Sequence, residues 1–117
     1  MKDKVKERMV DFSLSGPGRG TARFLFPEDF RGFAGHFPQE PILPGVCLLE
    51  CVLATGEALA GRPLRLVGVR NAKFLDPARP GDPLRVECET GEDNALSATI
   101  FSGERRIAKL GMDVEHA

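Results

Sequence analysis

The chain has 117 residues, 42% of them hydrophobic and 28% charged, with 16 basic against 17 acidic side chains and a formal net charge of −1. That composition fits one globular domain with a real core, and the charge balance argues against a general nucleic-acid binder. Trp and Tyr are absent while Phe occurs eight times, so an apolar site is easier to build than a stacking platform for bases.

The opening Met1-Lys2-Asp3-Lys4-Val5-Lys6-Glu7-Arg8 has no signal-like apolar core, and no apolar run approaches membrane-spanning length. A cytoplasmic location is expected, with residues 1–5 a solvated, flexible tail. From Arg8 to Ser15 apolar and polar residues alternate, which predicts a strand. Gly16-Pro17-Gly18-Arg19-Gly20 is a turn, and Thr21 to Phe26 reads as the returning strand of a hairpin. Pro27 to Pro44 carries four prolines and two glycines. It is expected to be an ordered loop with Phe30, Phe33 and Phe37 as apolar anchors, and a loop this long tends to be functional.

A helix is predicted from Val46 to Ala60, with Pro44-Gly45 at its mouth and Gly61 and Pro63 beyond its end. It is apolar almost all round, so it must be wrapped on most sides and sit centrally. Cys47 and Cys51 lie four apart on one face of it. With Cys88 they make an odd count that points to reduced thiols, and a metal site would need two more nearby ligands, so small buried thiols are expected. Glu57, near the helix end, reads as solvated.

After the helix the pattern turns to strands at Arg65–Leu75, Leu84–Thr90, Leu96–Phe101 and Arg106–Val114. The short turns between them favour an antiparallel meander. The expected fold is α+β: five or six antiparallel strands curled around one long central helix, in one domain without internal repeats.

The chemistry concentrates in Gly35-His36-Phe37-Pro38-Gln39-Glu40-Pro41-Ile42-Leu43-Pro44-Gly45-Val46, followed by Glu50 inside the helix. His36 is the only internal histidine, Gly45 offers a backbone N–H where the helix opens, and Glu50 is one carboxylate among Leu48, Leu49, Val52 and Leu53. A proton acceptor, an amide donor and a proton donor within fifteen residues suit moving a proton beside a carbonyl, with no cofactor or metal.

His36-Phe37-Pro38, Pro41-Ile42-Leu43-Pro44-Gly45-Val46 and Glu50 resemble the active-site signature of 3-hydroxyacyl-acyl-carrier-protein dehydratases of hot-dog fold. Asn71-Ala72-Lys73-Phe74-Leu75-Asp76-Pro77 with Pro80-Gly81-Asp82 is similar to their second characteristic stretch. The spacings of 14 residues from His36 to Glu50 and 9 from His36 to Gly45 both match. The wording and short length also resemble the aryl-polyene branch of that family. Two features depart from it: Ala54 stands where the family carries Gln, and the N-terminal part is short.

The resemblance implies reversible dehydration of 3-hydroxyacyl to trans-2-enoyl thioesters on acyl carrier protein. His36, available as neutral imidazole near pH 7, would take the proton beside the carbonyl. The Gly45 N–H would meet the charge developing on the thioester oxygen, helped by the helix dipole. Glu50, whose pKa burial should raise, would protonate the leaving hydroxyl. The resemblance further implies a homodimer with composite active sites, open to further assembly, and an acyl tunnel. Phe33, Phe37 and Phe74 are candidates either for lining it or for ordinary core packing. Basic residues cluster in sequence at Arg62, Arg65, Arg70, Lys73 and Arg79, and again at Arg105, Arg106 and Lys109. They suit contact with an acidic carrier protein or simply solvated strand faces. His116 reads as inert. A hot-dog thioesterase and a catalytically silent hot-dog subunit are the competing readings. The first would not need the pairing of His36 with Glu50, and the second tends to lose one of the two.

Overall fold

The computed structural model describes residues 2–33 and 41–117. Helix α1 (Lys2–Lys6) precedes strands β1 (Met9–Gly16) and β2 (Arg19–Phe24) and a 3₁₀ turn at Arg31–Phe33. Helix α2 (Gly45–Ala60) follows, then β3 (Leu64–Phe74), β4 (Leu84–Thr90), β5 (Ala95–Ser102) and β6 (Arg105–His116). The expected helix and strands are present, with no end moved by more than two residues. All six strands form one antiparallel sheet in the order β1-β2-β4-β5-β6-β3.

Strands β4, β5 and β6 are the expected meander. Strand β3 instead crosses to the far side of β6, pairing Leu64 with His116 and Phe74 with Ala108. The reason is the linker: residues 75–83 are too long for a tight hairpin and can pass over the ends of β6 and β5 before β4 begins.

Side chains alternate across the sheet. Phe24, Val86, Ile100, Leu110 and Met112 turn inward and are almost fully buried. Outward lies a polar row in which Thr21, Glu87, Thr99, Lys109 and Lys73 are successive cross-strand neighbours. Helix α2 packs on the inner face, and every residue from Cys51 to Glu57 is buried. Close approach needs Gly56, because a Cβ there would lie 2.5 Å from Leu96 Cδ1. The Thr55 hydroxyl, buried in the same turn, donates to the Cys51 carbonyl at 2.8 Å, which satisfies it without a partner from the sheet. The helix ends on Gly61 in the left-handed region, φ 72°, whose N–H donates to the Glu57 carbonyl. Beside it, Phe26, Phe30 and Phe33 stack edge to face with centroids 4.6 and 6.0 Å apart, so two of the three expected loop anchors are core residues.

Two expectations are corrected. Residues 2–6 are helical rather than a solvated tail, and Val5 is fully buried in the core. Glu57 is 5% exposed, not solvated: it accepts from the Leu64 N–H at 2.8 Å and pairs with Lys6 Nζ at 3.2 Å. The cause is shared. The Gly61-Arg62-Pro63 turn folds β3 back onto the helix end while α1 closes over it, and the carboxylate joins the two. Glu57→Ala should therefore destabilise the fold by about 1–3 kcal/mol, the cost of leaving a buried donor unsatisfied, measured by urea denaturation.

Candidate active site

The N-terminal end of α2 opens onto an apolar groove. Pro44 occupies the cap position at φ −62°, ψ 150° and has no side-chain oxygen to accept from the first turn. The Cys47 N–H donates to the Pro44 carbonyl at 3.0 Å, so the first two amides, Gly45 and Val46, are the ones a side-chain cap would have met, with the positive end of the helix dipole behind them. The groove has a volume of about 390 Å³. Ile42, Leu43, Pro44, Gly45 and Leu48 form one wall, and Phe74 through Ala78 form the other. A bond from the Leu43 N–H to the Ala78 carbonyl, 2.8 Å, joins the walls.

Phe74 lies against Gly45 so closely that a Cβ on the glycine would come 2.8 Å from the ring's Cζ. The absent side chain is what lets the aromatic ring reach the helix mouth. Phe74 is 53% exposed and lines the groove. Phe33 is buried and packs edge-on against Phe30. His36 and Phe37 lie outside the described residues.

Glu50 is half-buried on α2, five residues past Gly45, about 7.5 Å further along the axis. Its charge reaches the neighbouring thiols. Burial, with a contribution from Glu50, pushes the Cys47 thiol up to about 11, and burial followed by Cys47 and Glu50 drives Cys51 well above its ordinary value. Burial and Glu89 push Cys88 up to about 12. All three cysteines are buried core thiols, as their sequence spacing suggested.

The two basic clusters divide once the pairs are resolved. Arg65 pairs with Glu115, Arg70 with Asp113 at 2.7 Å, and Arg105 with Asp76 at 2.7 Å. Lys73 and Lys109 remain exposed and face each other across β3 and β6. In sequence Arg105 stands only as one of a basic cluster and Glu57 reads as solvated, so the bridge to Asp76 and Asp82 and the buried role of Glu57 are both missed. The acidic residues of the loop at 75–83 were the available signal for the first, and the Gly-Arg-Pro turn after the helix for the second.

A single antiparallel sheet curled round one helix, with an amide-lined apolar groove at the helix mouth, is the hot-dog architecture. The chain belongs to the ApeI-like dehydratase family, whose ApeI dehydratase model matches residues 15–110. It is 35% identical over 92 residues to the 3-hydroxyacyl-[acyl-carrier-protein] dehydratase FabZ of Granulibacter bethesdensis, covering 71% of this chain and 53% of that relative. The match to the enzyme of the same name from a Wolbachia of Brugia malayi is 31% over 118 residues, covering 88% of this chain and 79% of that one. The chain thus spans little more than half the length of the first of these relatives. In fold it is similar to the dehydratase heterocomplex ApeI:P from Xenorhabdus doucetiae, with a TM-score of 0.81 at 19% identity, covering 91% of this chain and 95% of that one. No helix among the described residues is long and apolar enough to cross a membrane.

The raised thiol values make stability depend on alkaline pH. The folded state holds its thiol protons up to about pH 11 at Cys47 and about 12 at Cys88, whereas unfolded thiols lose theirs near 9.0. The unfolded state therefore binds fewer protons above pH 9, and stability, complete below that value, should fall as pH rises toward 11–12. Denaturation midpoints measured from pH 7 to 11 should show this decline. Replacing Cys88 by Ala or Val should flatten it.

Proposed function

We propose that the chain catalyses reversible removal of water from a 3-hydroxyacyl thioester carried on acyl carrier protein, giving the trans-2-enoyl thioester. The observation that carries this reading is the Gly45 amide at the mouth of α2, opening onto an apolar groove with Glu50 farther along the same helix. FabZ enzymes named for that reaction are among its relatives.

In this reading His36 removes the proton on C2 and the electron pair moves toward the carbonyl, where the Gly45 N–H meets the developing oxyanion. The pair then returns to form the C2–C3 double bond, the C3–O bond breaks, and the hydroxyl leaves as water with a proton from Glu50. His36 ends protonated and Glu50 ionised, and proton exchange with solvent resets both. The acyl chain runs along Phe74 and the apolar groove wall, with Phe37 and Phe33 the other lining candidates from sequence. No cofactor or metal takes part in these steps.

The site is completed by a second copy. Strand β3 is an 11-residue edge carrying Leu66, Val67 and Val69, at 39, 60 and 44% exposed. A long apolar edge of this kind is a ready template for another strand. Pairing β3 with β3 of a second copy makes one continuous sheet and brings His36 of one subunit to Glu50 of the other.

Hydration of a crotonyl or longer 2-enoyl thioester, followed as loss of ultraviolet absorbance, tests the chemistry. His36→Ala should abolish it, and Glu50→Gln should lower the rate at least about 10²-fold. Release of free thiol would instead mark a thioesterase, and near-normal turnover in Glu50→Gln would remove that residue from the mechanism. Assembly is tested separately by sedimentation. Val67→Lys with Val69→Lys should shift the protein from dimer to monomer and remove activity together. A fully active monomer would contradict composite sites.

A further inference from the structure

The loop at residues 75–83, whose first part through Ala78 forms one groove wall with Phe74, is held from several sides. At its start the N–H groups of Leu75 and Asp76 both reach the Ile107 carbonyl, at 2.9 and 3.3 Å. In its middle the Ala78 carbonyl accepts from Leu43, and near its end the Gly81 N–H donates to the Phe26 carbonyl at 2.9 Å. The Asp82 carboxylate closes the last turn by accepting from the Arg79 N–H at 2.8 Å. One side chain spans the whole loop: Arg105, the first residue of β6, places Nη1 2.7 Å from Asp76 and Nη2 3.4 Å from Asp82.

We propose that Arg105 is a positioning residue: by bridging Asp76 and Asp82 it fixes the loop so that Ala78 holds Leu43 and thereby aims the Pro44-Gly45 peptide. The inference rests on the proposed function only in taking the Gly45 N–H as the oxyanion donor. Bridging two carboxylates on either side of a loop calls for a fork of donors, which guanidinium supplies and a single ammonium does not. The three side chains are 42, 40 and 26% exposed, so solvent screens the pairs and the fold does not depend on them. Ala78, by contrast, is 2% exposed and already in place against the groove, so a small shift of the loop passes directly to Leu43. A displacement of about 1 Å at a reacting centre can cost up to about 10² in rate. A clamp of little weight in folding therefore carries weight in turnover.

The test compares wild type, Arg105→Gln, Arg105→Lys and the double variant Arg105→Gln with Asp82→Asn, on 2-enoyl thioester hydration, thermal unfolding and amide hydrogen exchange. Arg105→Gln should lower kcat about tenfold with KM changed less than about twofold, while the melting temperature moves only slightly. Lys should recover part of the loss, and the double variant should be no worse than Arg105→Gln alone. Exchange at the Leu43 amide should rise in Arg105→Gln and stay near wild type at the core amide of Ile100. Unchanged kcat in Arg105→Gln, or a Lys variant equal to wild type, would overturn the assignment. Should wild type itself show no hydration, the proposed function fails while the exchange measurement still decides the clamp: unaltered exchange at Leu43 removes Arg105 from the role. Should Arg105→Gln not fold, Asp82→Asn and Arg105→Lys carry the same two readouts.

Discussion

Burial of α2 on all sides over two turns governs everything else in this molecule. A helix with apolar residues around its circumference loses free energy in water from every face, so a small domain can hold it only by curling a sheet about it. The curl in turn demands close contact, which Gly56 permits by letting Leu96 meet the helix backbone. Two polar side chains drawn into that interior, Thr55 and Glu57, have partners supplied by the same elements. Thr55 turns back on its own helix, and Glu57 is met by the first amide of β3 and by Lys6.

Fixing the helix in this way also fixes where reactivity can arise. The stretch from Cys51 to Glu57 is enclosed by the sheet and α1, and at the N-terminal end, which borders the groove, the dipole favours negative charge. Proline at the cap supplies no side-chain acceptor to the first amides, and glycine next to it admits the Phe74 ring. Electrostatics and shape therefore coincide at one place: a partly positive backbone surface faces an apolar slot. That combination suits a ligand whose carbonyl gains charge while its tail stays greasy.

Most of the fold could be read from sequence because each element is locally self-consistent. The strand at Leu84–Thr90 alternates cleanly and is bounded by Pro-Gly-Asp-Pro and Gly91, so its limits came out unchanged. Helix α2 was bracketed by Pro44 and Gly61, residues whose backbone preferences stop and start helices. What stayed hidden depends on tertiary placement. Nothing in the residues of β3 says that it crosses to the outer side of β6, because a nine-residue linker argues against a tight hairpin without naming the strand that β3 pairs with. Lys-Asp-Lys-Val-Lys has the composition of a solvated tail, and only the empty space beside α2 makes Val5 a core residue. Glu57 looked solvated because a carboxylate near a helix end usually is. What the sequence offers for the candidate site is a set of residue types at set spacings; the joining of the groove walls through Leu43 and Ala78, and the bridge made by Arg105, arise between segments far apart in the chain.

The joining of both chain ends to one pole of α2 has a practical corollary. Lys6 reaches Glu57, and the Ala117 N–H donates to the Pro63 carbonyl just past the helix. Gly45 lies about 18 Å from Glu57 along the axis. Anything tethered to either terminus, whether a fluorescent reporter, a surface for immobilisation or a neighbouring catalytic module, would hang from the end remote from the slot and leave its mouth unobstructed.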